Sequence, residues 1–169
     1  FTCSSAGDDH VSGFHLPGEL IGLDAIGTGV HPCSARALET SSVCEVAYAG
    51  LEDLAMKIRG LQRQLLRLMS REIHHDEKMM ALLGRTAAEQ RLAALLYDIA
   101  GRFRERGFSS RIFRLSMSRH EIGSYLGLKL ETVSRLLSRM HRDGLIQVQG
   151  RTIKLVDPVG LKTLVETGH

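Results

Sequence analysis

The chain of 169 residues has no tryptophan, three prolines and three cysteines. It also has no apolar run of about 18 residues, the length a membrane-crossing helix needs, which excludes a transmembrane segment. Its start lacks the basic-then-apolar pattern of a signal peptide, so a cytoplasmic protein is expected. Cysteines at 3, 33 and 44 are too far apart for a disulfide framework, as suits a reducing compartment. There is no initiator methionine. Phe1-Thr2-Cys3 enters directly into a strand-like run that turns at residues 6–9 and returns over residues 10–15. A first strand without an earlier partner exposes an edge, so the chain is expected to be a fragment. Acid–base clusters are scarce too. His74-His75-Asp76 invites a small metal hydrolase as an alternative, but adjacent helical histidines point about 100° apart, whereas metal pairs favour i, i+4 spacing. Met79 and Met80 read as core and seam residues.

What the sequence does contain is a pattern over residues 115–156. Ser118 is followed three residues later by Glu121, the spacing at which hydroxyl and carboxylate satisfy each other's free helix-start amides. A helix is predicted from about residue 119, with Ile122, Tyr125 and Leu126 on one face and an end at Gly127, which tolerates the left-handed turn. A second helix is predicted over about residues 130–141, with Leu130, Val133, Leu136, Leu137 and Met140 in an apolar stripe. Its other face carries Glu131, Ser134, Arg135 and Ser138, where a helix-turn-helix presents side chains to base edges in the major groove. Gly144 ends that helix, and residues 145–148, 150–151 and 152–156 read as strand, turn and strand. A winged helix-turn-helix follows, with double-stranded DNA as its partner.

Charge supports this placement. Residues 101–156 hold twelve Lys and Arg against four Asp and Glu, a local net of +8, whereas the whole chain carries +3 and the remainder therefore −5. Phosphate neutralisation calls for such a concentration. Upstream, helical periodicity covers residues 51–83: a lead-in helix over 51–58, an irregularity at Gly60, and a long helix over 61–83. Within it Leu66, Met69, Ile73, Asp76, Met80 and Leu83 alternate by steps of three and four, the seam of a two-stranded coiled coil, so a homodimer is expected. Two Asp76 carboxylates meeting across that seam repel while ionised and lose hydration, keeping association marginal. A ligand can then tip the equilibrium. Thr86 and Glu89 form a further capping box for a helix to about residue 104, with Leu92, Leu95, Leu96, Ile99 and Phe103 inward.

The run Leu130-Glu131-Thr132-Val133-Ser134-Arg135-Leu136-Leu137 resembles the recognition helix of the FNR branch of the CRP/FNR regulators, which switch transcription in response to oxygen. The resemblance covers almost the whole chain, including Gly18-Glu19-Leu20-Ile21-Gly22-Leu23-Asp24-Ala25-Ile26-Gly27. It implies that Glu131, Ser134 and Arg135 read bases in TTGAT-type half-sites. Chemistry agrees, since arginine can bridge guanine O6 and N7 and a carboxylate can accept from cytosine N4. Arg119, Lys129, Arg139, Arg142 and Arg151 are the candidate phosphate contacts. Lys129 stands where the family has threonine; it cannot cap the helix, but it can reach a phosphate.

The implied architecture is α+β: a partial β-roll sensor domain of the cyclic-nucleotide-binding type over residues 1–50, a lead-in and long dimerisation helix over 51–84, and the winged helix-turn-helix over 85–169. In cyclic-nucleotide-binding relatives an Arg-Ser pair holds the phosphate and a Glu the ribose. Here Cys33-Ser34 and Leu23 occupy those positions, so no cyclic nucleotide is expected. Gly27 and Gly29 read as a turn. Cys44, in Ser41-Ser42-Val43-Cys44-Glu45, matches the segment carrying the fourth ligand of an oxygen-labile [4Fe–4S] cluster, which needs four thiolates. The other three belong to a Cys-rich segment that this sequence does not contain, and Cys3 and Cys33 do not match ligand positions. The intact protein is expected to hold the cluster, and this chain is not. Without the resemblance, a lone Cys in a strand-like run reads as a small buried hydrophobe. RNA polymerase contacts are implied for the loop of Phe108 and Ser109 (α subunit) and for the hairpin tip at Gly7-Asp8 (sigma subunit). The expected function is global regulation, mainly activation, of anaerobic metabolism. A relative sensing through haem or a redox thiol, with Cys33 or Cys44 reactive, remains open.

Overall fold

The computed structural model describes residues 1–3, 9–85 and 87–167. The expected hairpin tip at Gly7-Asp8 and the expected cap Thr86 lie outside the described residues. Among the described residues six α-helices follow one another as α1 (Tyr48–Lys57), α2 (Arg59–Arg85), α3 (Ala88–Glu105), α4 (Arg119–Leu126), α5 (Leu130–Arg142) and α6 (Pro158–Thr167). Five short strands accompany them among the same residues: β1 (Thr2–Cys3), β2 (Asp9–His10), β3 (Ile112–Arg114), β4 (Ile146–Gln149) and β5 (Thr152–Leu155). The class is α+β, as the sequence implies. Among the described residues no helix is long and apolar enough to cross a membrane.

The N-terminal strands pair antiparallel, Thr2 with His10 and Cys3 with Asp9. The return strand ends at His10 instead of continuing to His15. Residues 11–47 contain no strand, only a 3₁₀ turn at Leu23–Ala25. The strand-like runs at 35–38 and 43–48 therefore form no sheet; short strands need neighbours and a buried face to persist, and Val43 and Val46 are open to solvent.

The break between the lead-in and long helices falls at Ile58, not Gly60. Ile58 takes an extended conformation (φ −117°, ψ 95°), which suits a β-branched residue. Its N–H donates to Leu54 O at 2.8 Å, closing α1, while its own carbonyl accepts from Leu61 N at 2.9 Å, opening α2. One residue caps two helices, and Gly60 sits inside α2.

The core lies at the C-terminal end. Leu92, Leu95, Leu96 and Ile99 of α3 are fully buried against α4, α5, the sheet and α6. The sheet order is β3-β5-β4, all antiparallel, and Ile153 of β5 is flanked by Phe113 and Val148 in register. Two of these elements, β3 and α6, do not emerge from the sequence pattern above. Asp157 starts α6, its Oδ1 accepting from Val159 N (3.1 Å) and Gly160 N (2.9 Å), with Pro158 at the first helical position. Leu161 and Leu164 then pack into the core beside α3. Each such burial contributes roughly 1.5–3 kcal/mol.

Candidate nucleic-acid interface

The site is built on two short helices and the turn between them. Ser118 Oγ accepts from Glu121 N at 3.2 Å and Glu121 Oε2 accepts from Ser118 N at 2.7 Å, the reciprocal box that starts α4. Burial alone would push the Glu121 carboxyl up. The Ser118 amide and hydroxyl, with the charges of Arg36 and Arg151, outweigh it and hold the group below the ordinary carboxylate value. Gly127 closes α4 at φ 63°, a conformation that favours glycine. Gly123 makes the tight turn possible: its carbonyl accepts from Leu128 N at 2.8 Å, and a Cβ there would stand 2.5 Å from Leu128 O.

Across this turn α5 begins with Lys129 as its N-cap, in extended conformation and without a side-chain cap. Val133, Leu136, Leu137 and Met140 are buried, whereas Leu130, expected in the same stripe, is 42% exposed because it lies at the open first turn. Glu131, Arg135 and Ser138 face solvent and Ser134 is half-buried. Arg119 of α4 donates to Ser134 Oγ at 3.3 Å, so one expected phosphate contact steadies an expected base reader. Arg142 is exposed near the helix end. Arg151, at the β4–β5 turn, donates to Ser116 O at 2.9 Å, which fixes the wing tip against the segment before α4. Arg139 is engaged elsewhere, 3.3 Å from Glu89 of α3 and 3.8 Å from Asp143.

Three contributors have roles here that the sequence pattern does not assign. Gly123 is one; an isolated glycine inside a helical pattern is the available signal. His141 is another, its Nδ1 accepting from Val148 N at 3.0 Å and tying the end of α5 to the wing. Glu89 is the third. Its expected capping partner, Thr86, lies outside the described residues, and the helix starts at Ala88 with Gln90 Oε1 accepting from Ala87 N at 3.0 Å.

Outside the module, α2 presents Leu66, Ile73 and Met80 at 60%, 59% and 67% exposure, with Asp76 also exposed. Met69 and Leu83 of the expected seam are half-buried. Met79 packs on the core. His75 Nδ1 lies 3.6 Å from Asp98 of α3. Phe108 is exposed beyond α3, and Ser109 Oγ accepts from Arg111 N and Ile112 N.

A Crp-like helix-turn-helix domain matches residues 90–164. Over 164 residues the chain is 49% identical to the transcriptional activator protein Anr of Pseudomonas protegens, a match covering 97% of this chain and 67% of that protein. It is 48% identical over its full length to the fumarate and nitrate reduction regulatory protein of Escherichia coli K12, again covering 67% of the relative. The chain belongs to the CRP/FNR family, in its FNR/Anr branch.

Among solved CRP/FNR structures, FixK2 from Bradyrhizobium japonicum superposes with a TM-score of 0.62 at 38% identity, over 70% of this chain and 59% of that one. The chain spans about two thirds of the length of its curated FNR/Anr relatives. The first of these is named a transcriptional activator and the second a regulatory protein. The hydrolase reading falls with that finding, and no group of three or more His, Cys, Asp or Glu able to hold a metal occurs among the described residues.

Cys44 is exposed in irregular chain four residues before α1, not buried in a strand. Cys33 is half-buried with Ser12 Oγ 3.9 Å from its Sγ. Four thiolates are not assembled among the described residues, so these residues do not fit a cluster by themselves. At the expected cyclic-nucleotide position, Ser34 is bonded to Phe1 through both backbone groups, at 2.8 and 2.9 Å. The nearest following guanidinium, Arg36, is 3.1 Å from Asp9 and 3.6 Å from Glu121.

Proposed function

We propose that the intact protein acts as a homodimer on palindromic TTGAT-type sites, mainly as an activator of anaerobic metabolism, under an oxygen-labile [4Fe–4S] sensor. The observation that carries the DNA reading is the solvent-facing start of α5, where Glu131 and Arg135 stand beside Ser134 and the Lys129 N-cap, which makes no side-chain cap hydrogen bond, leaves the helix start open to a phosphate. The homodimer reading is supported by the exposed heptad of Leu66, Ile73 and Met80, which leaves an apolar line on α2 with Asp76 beside it. Two modules so joined would set their recognition helices about 34 Å apart. In the sensor Cys44 supplies one thiolate, with the other three coming from outside these residues. Arg119, Arg142 and Arg151, with Lys129 and Arg139, engage phosphates, while Phe108 and Ser109 meet the RNA polymerase α subunit and Gly7-Asp8 the sigma subunit. No cyclic nucleotide takes part.

Arg135→Ala tests the reading directly. It should cost about 1–3 kcal/mol of half-site binding and relax preference at the guanine position. Equal loss on all DNA sequences would reduce Arg135 to a phosphate contact. For the homodimer, Asp76→Ala should increase association, and unchanged sedimentation would remove the role given to Asp76. Iron and acid-labile sulfide on the intact protein separate the cluster from a haem or thiol sensor.

A further inference from the structure

Residues 9–19 run along α3 and α4, with Asp9 sharing a cavity with Lys129 and Glu131 at the start of α5, and are fastened at both ends. At one end Ser124 Oγ of α4 donates to Asp9 O and accepts from Val11 N, each at 3.0 Å. Among the described residues before α3, Val11 is the one buried in the core cluster, and the Phe14 ring meets Tyr125 edge-on at 5.1 Å. At the other end Glu19 receives two arginines of α3. Arg102 contacts both carboxylate oxygens, Nε reaching Oε1 at 2.9 Å, and Arg106 Nη2 reaches Oε1 at 2.6 Å. Leu16 N donates to Oε2 at 2.7 Å, and Arg102 Nη2 also donates to Phe14 O at 2.6 Å. Arg106 Nε donates to Pro17 O at 3.0 Å.

This junction reaches a third segment. Arg102 Nη1 lies 3.4 Å from Asp98, whose other oxygen faces His75 of α2 at 3.6 Å. Burial would push the Glu19 carboxyl up; the Arg102 hydrogen bond, the Leu16 amide and the charges of Arg102 and Arg106 override it and leave the group lowered. Glu19 is therefore ionised wherever the module is folded near neutral pH. A half-buried carboxylate held by two guanidiniums and an amide is a strong, geometrically defined contact, and it does nothing for the α5 face directly.

We infer that residues 9–19 form a strap, latched at Glu19 by Arg102 and Arg106 and at Ser124 by the Asp9–Val11 backbone, that positions α4 behind α5 and brings the state of the N-terminal segment into the DNA-binding module. Glu19 is a positioning residue in this arrangement. The strap grips α3 and α4 directly and meets the long helix through the Arg102–Asp98–His75 contacts. Loosening it frees α4, whose Arg119 steadies Ser134 on the recognition face.

The test compares the whole chain with its Glu19→Gln, Glu19→Asp and Ser124→Ala variants, by amide exchange and by binding to a labelled duplex with one TTGAT-type half-site. Glu19→Gln and Ser124→Ala should each speed exchange across residues 122–127 about tenfold while leaving the α3 and α6 core unchanged. Half-site Kd should rise roughly tenfold with an unchanged salt slope, because no phosphate contact is lost. Glu19→Asp keeps the charge and should return Kd to within about threefold of the parent. Ser124→Ala suits a helix interior, so it keeps the test open if Glu19→Gln folds poorly. Parent-like exchange in α4 in both variants, or faster exchange spread evenly over α3 and α6, would overturn the latch. The inference rests on the DNA reading above. If the parent chain itself fails to bind the half-site, that reading fails, and the exchange pattern still decides the strap.

Discussion

The two ends of this chain differ in how they use apolar residues. From Leu92 to Leu164 they gather into one core, whereas among the described residues before α3 only Val11 is buried in that core, with Phe14, Leu38 and Met79 packed at its edge. Val30, Val43 and Val46 stay exposed although they lie in β-rich sequence. Similar composition thus gives opposite outcomes, because a strand holds only where other strands and a second layer cover it. The C-terminal module carries its own cover: α3 and α6 lie together and the three-stranded sheet closes the side.

The sharpest way to break this comparison is a paired truncation. Leu96 is 0% exposed, and Leu96→Ala should cost about 2–5 kcal/mol in urea unfolding. Val43→Ala should stay within about 0.5 kcal/mol; a cost near that of Leu96→Ala would mean the N-terminal third has a buried structure of its own. Next in size is Gly123→Ala. A methyl 2.5 Å from the Leu128 carbonyl oxygen forces the helix-turn-helix apart, for about 1–3 kcal/mol and a loss of half-site binding measured by anisotropy. Ser118→Ala removes the acceptor for Glu121 N and should cost about 1 kcal/mol, seen as a lower urea midpoint.

The smallest effect is a pH dependence at the Glu19 latch. The folded carboxyl is lowered from the ordinary value of 4.5, so its contribution is complete above that value and fades as pH falls through the folded one. The stability gap between the parent and Glu19→Gln should therefore hold from neutrality down to about pH 4.5 and close only in more acid solution. A gap that closes between about pH 6 and 7 would assign it to a histidine instead.

Legibility followed the same divide. Ser118, Glu121 and Gly127 mark the ends of α4 in sequence because capping is local chemistry. The polar face of α5 was equally readable from its period. β3 was not, since three residues carry too little pattern and Phe113 earns its place by pairing with Ile153. α6 had a signal in Asp157-Pro158 that periodicity alone passes over. The displaced break at Ile58 shows a β-branched residue ending a helix where glycine was the obvious candidate. The Glu19 junction joins residues more than eighty positions apart, and no local rule reaches that far.

The Arg139–Glu89 pair has a consequence for how binding responds to salt. A guanidinium that moves from Glu89 to a DNA phosphate exchanges one anion for another. The duplex sheds a condensed cation, but the abandoned carboxylate attracts one in turn, so net ion release from that contact is close to nil. Arg135 and Lys129 have no such carboxylate to vacate among the described ion pairs. Ionic strength should therefore count fewer arginines on this surface than a contact map of the complex would.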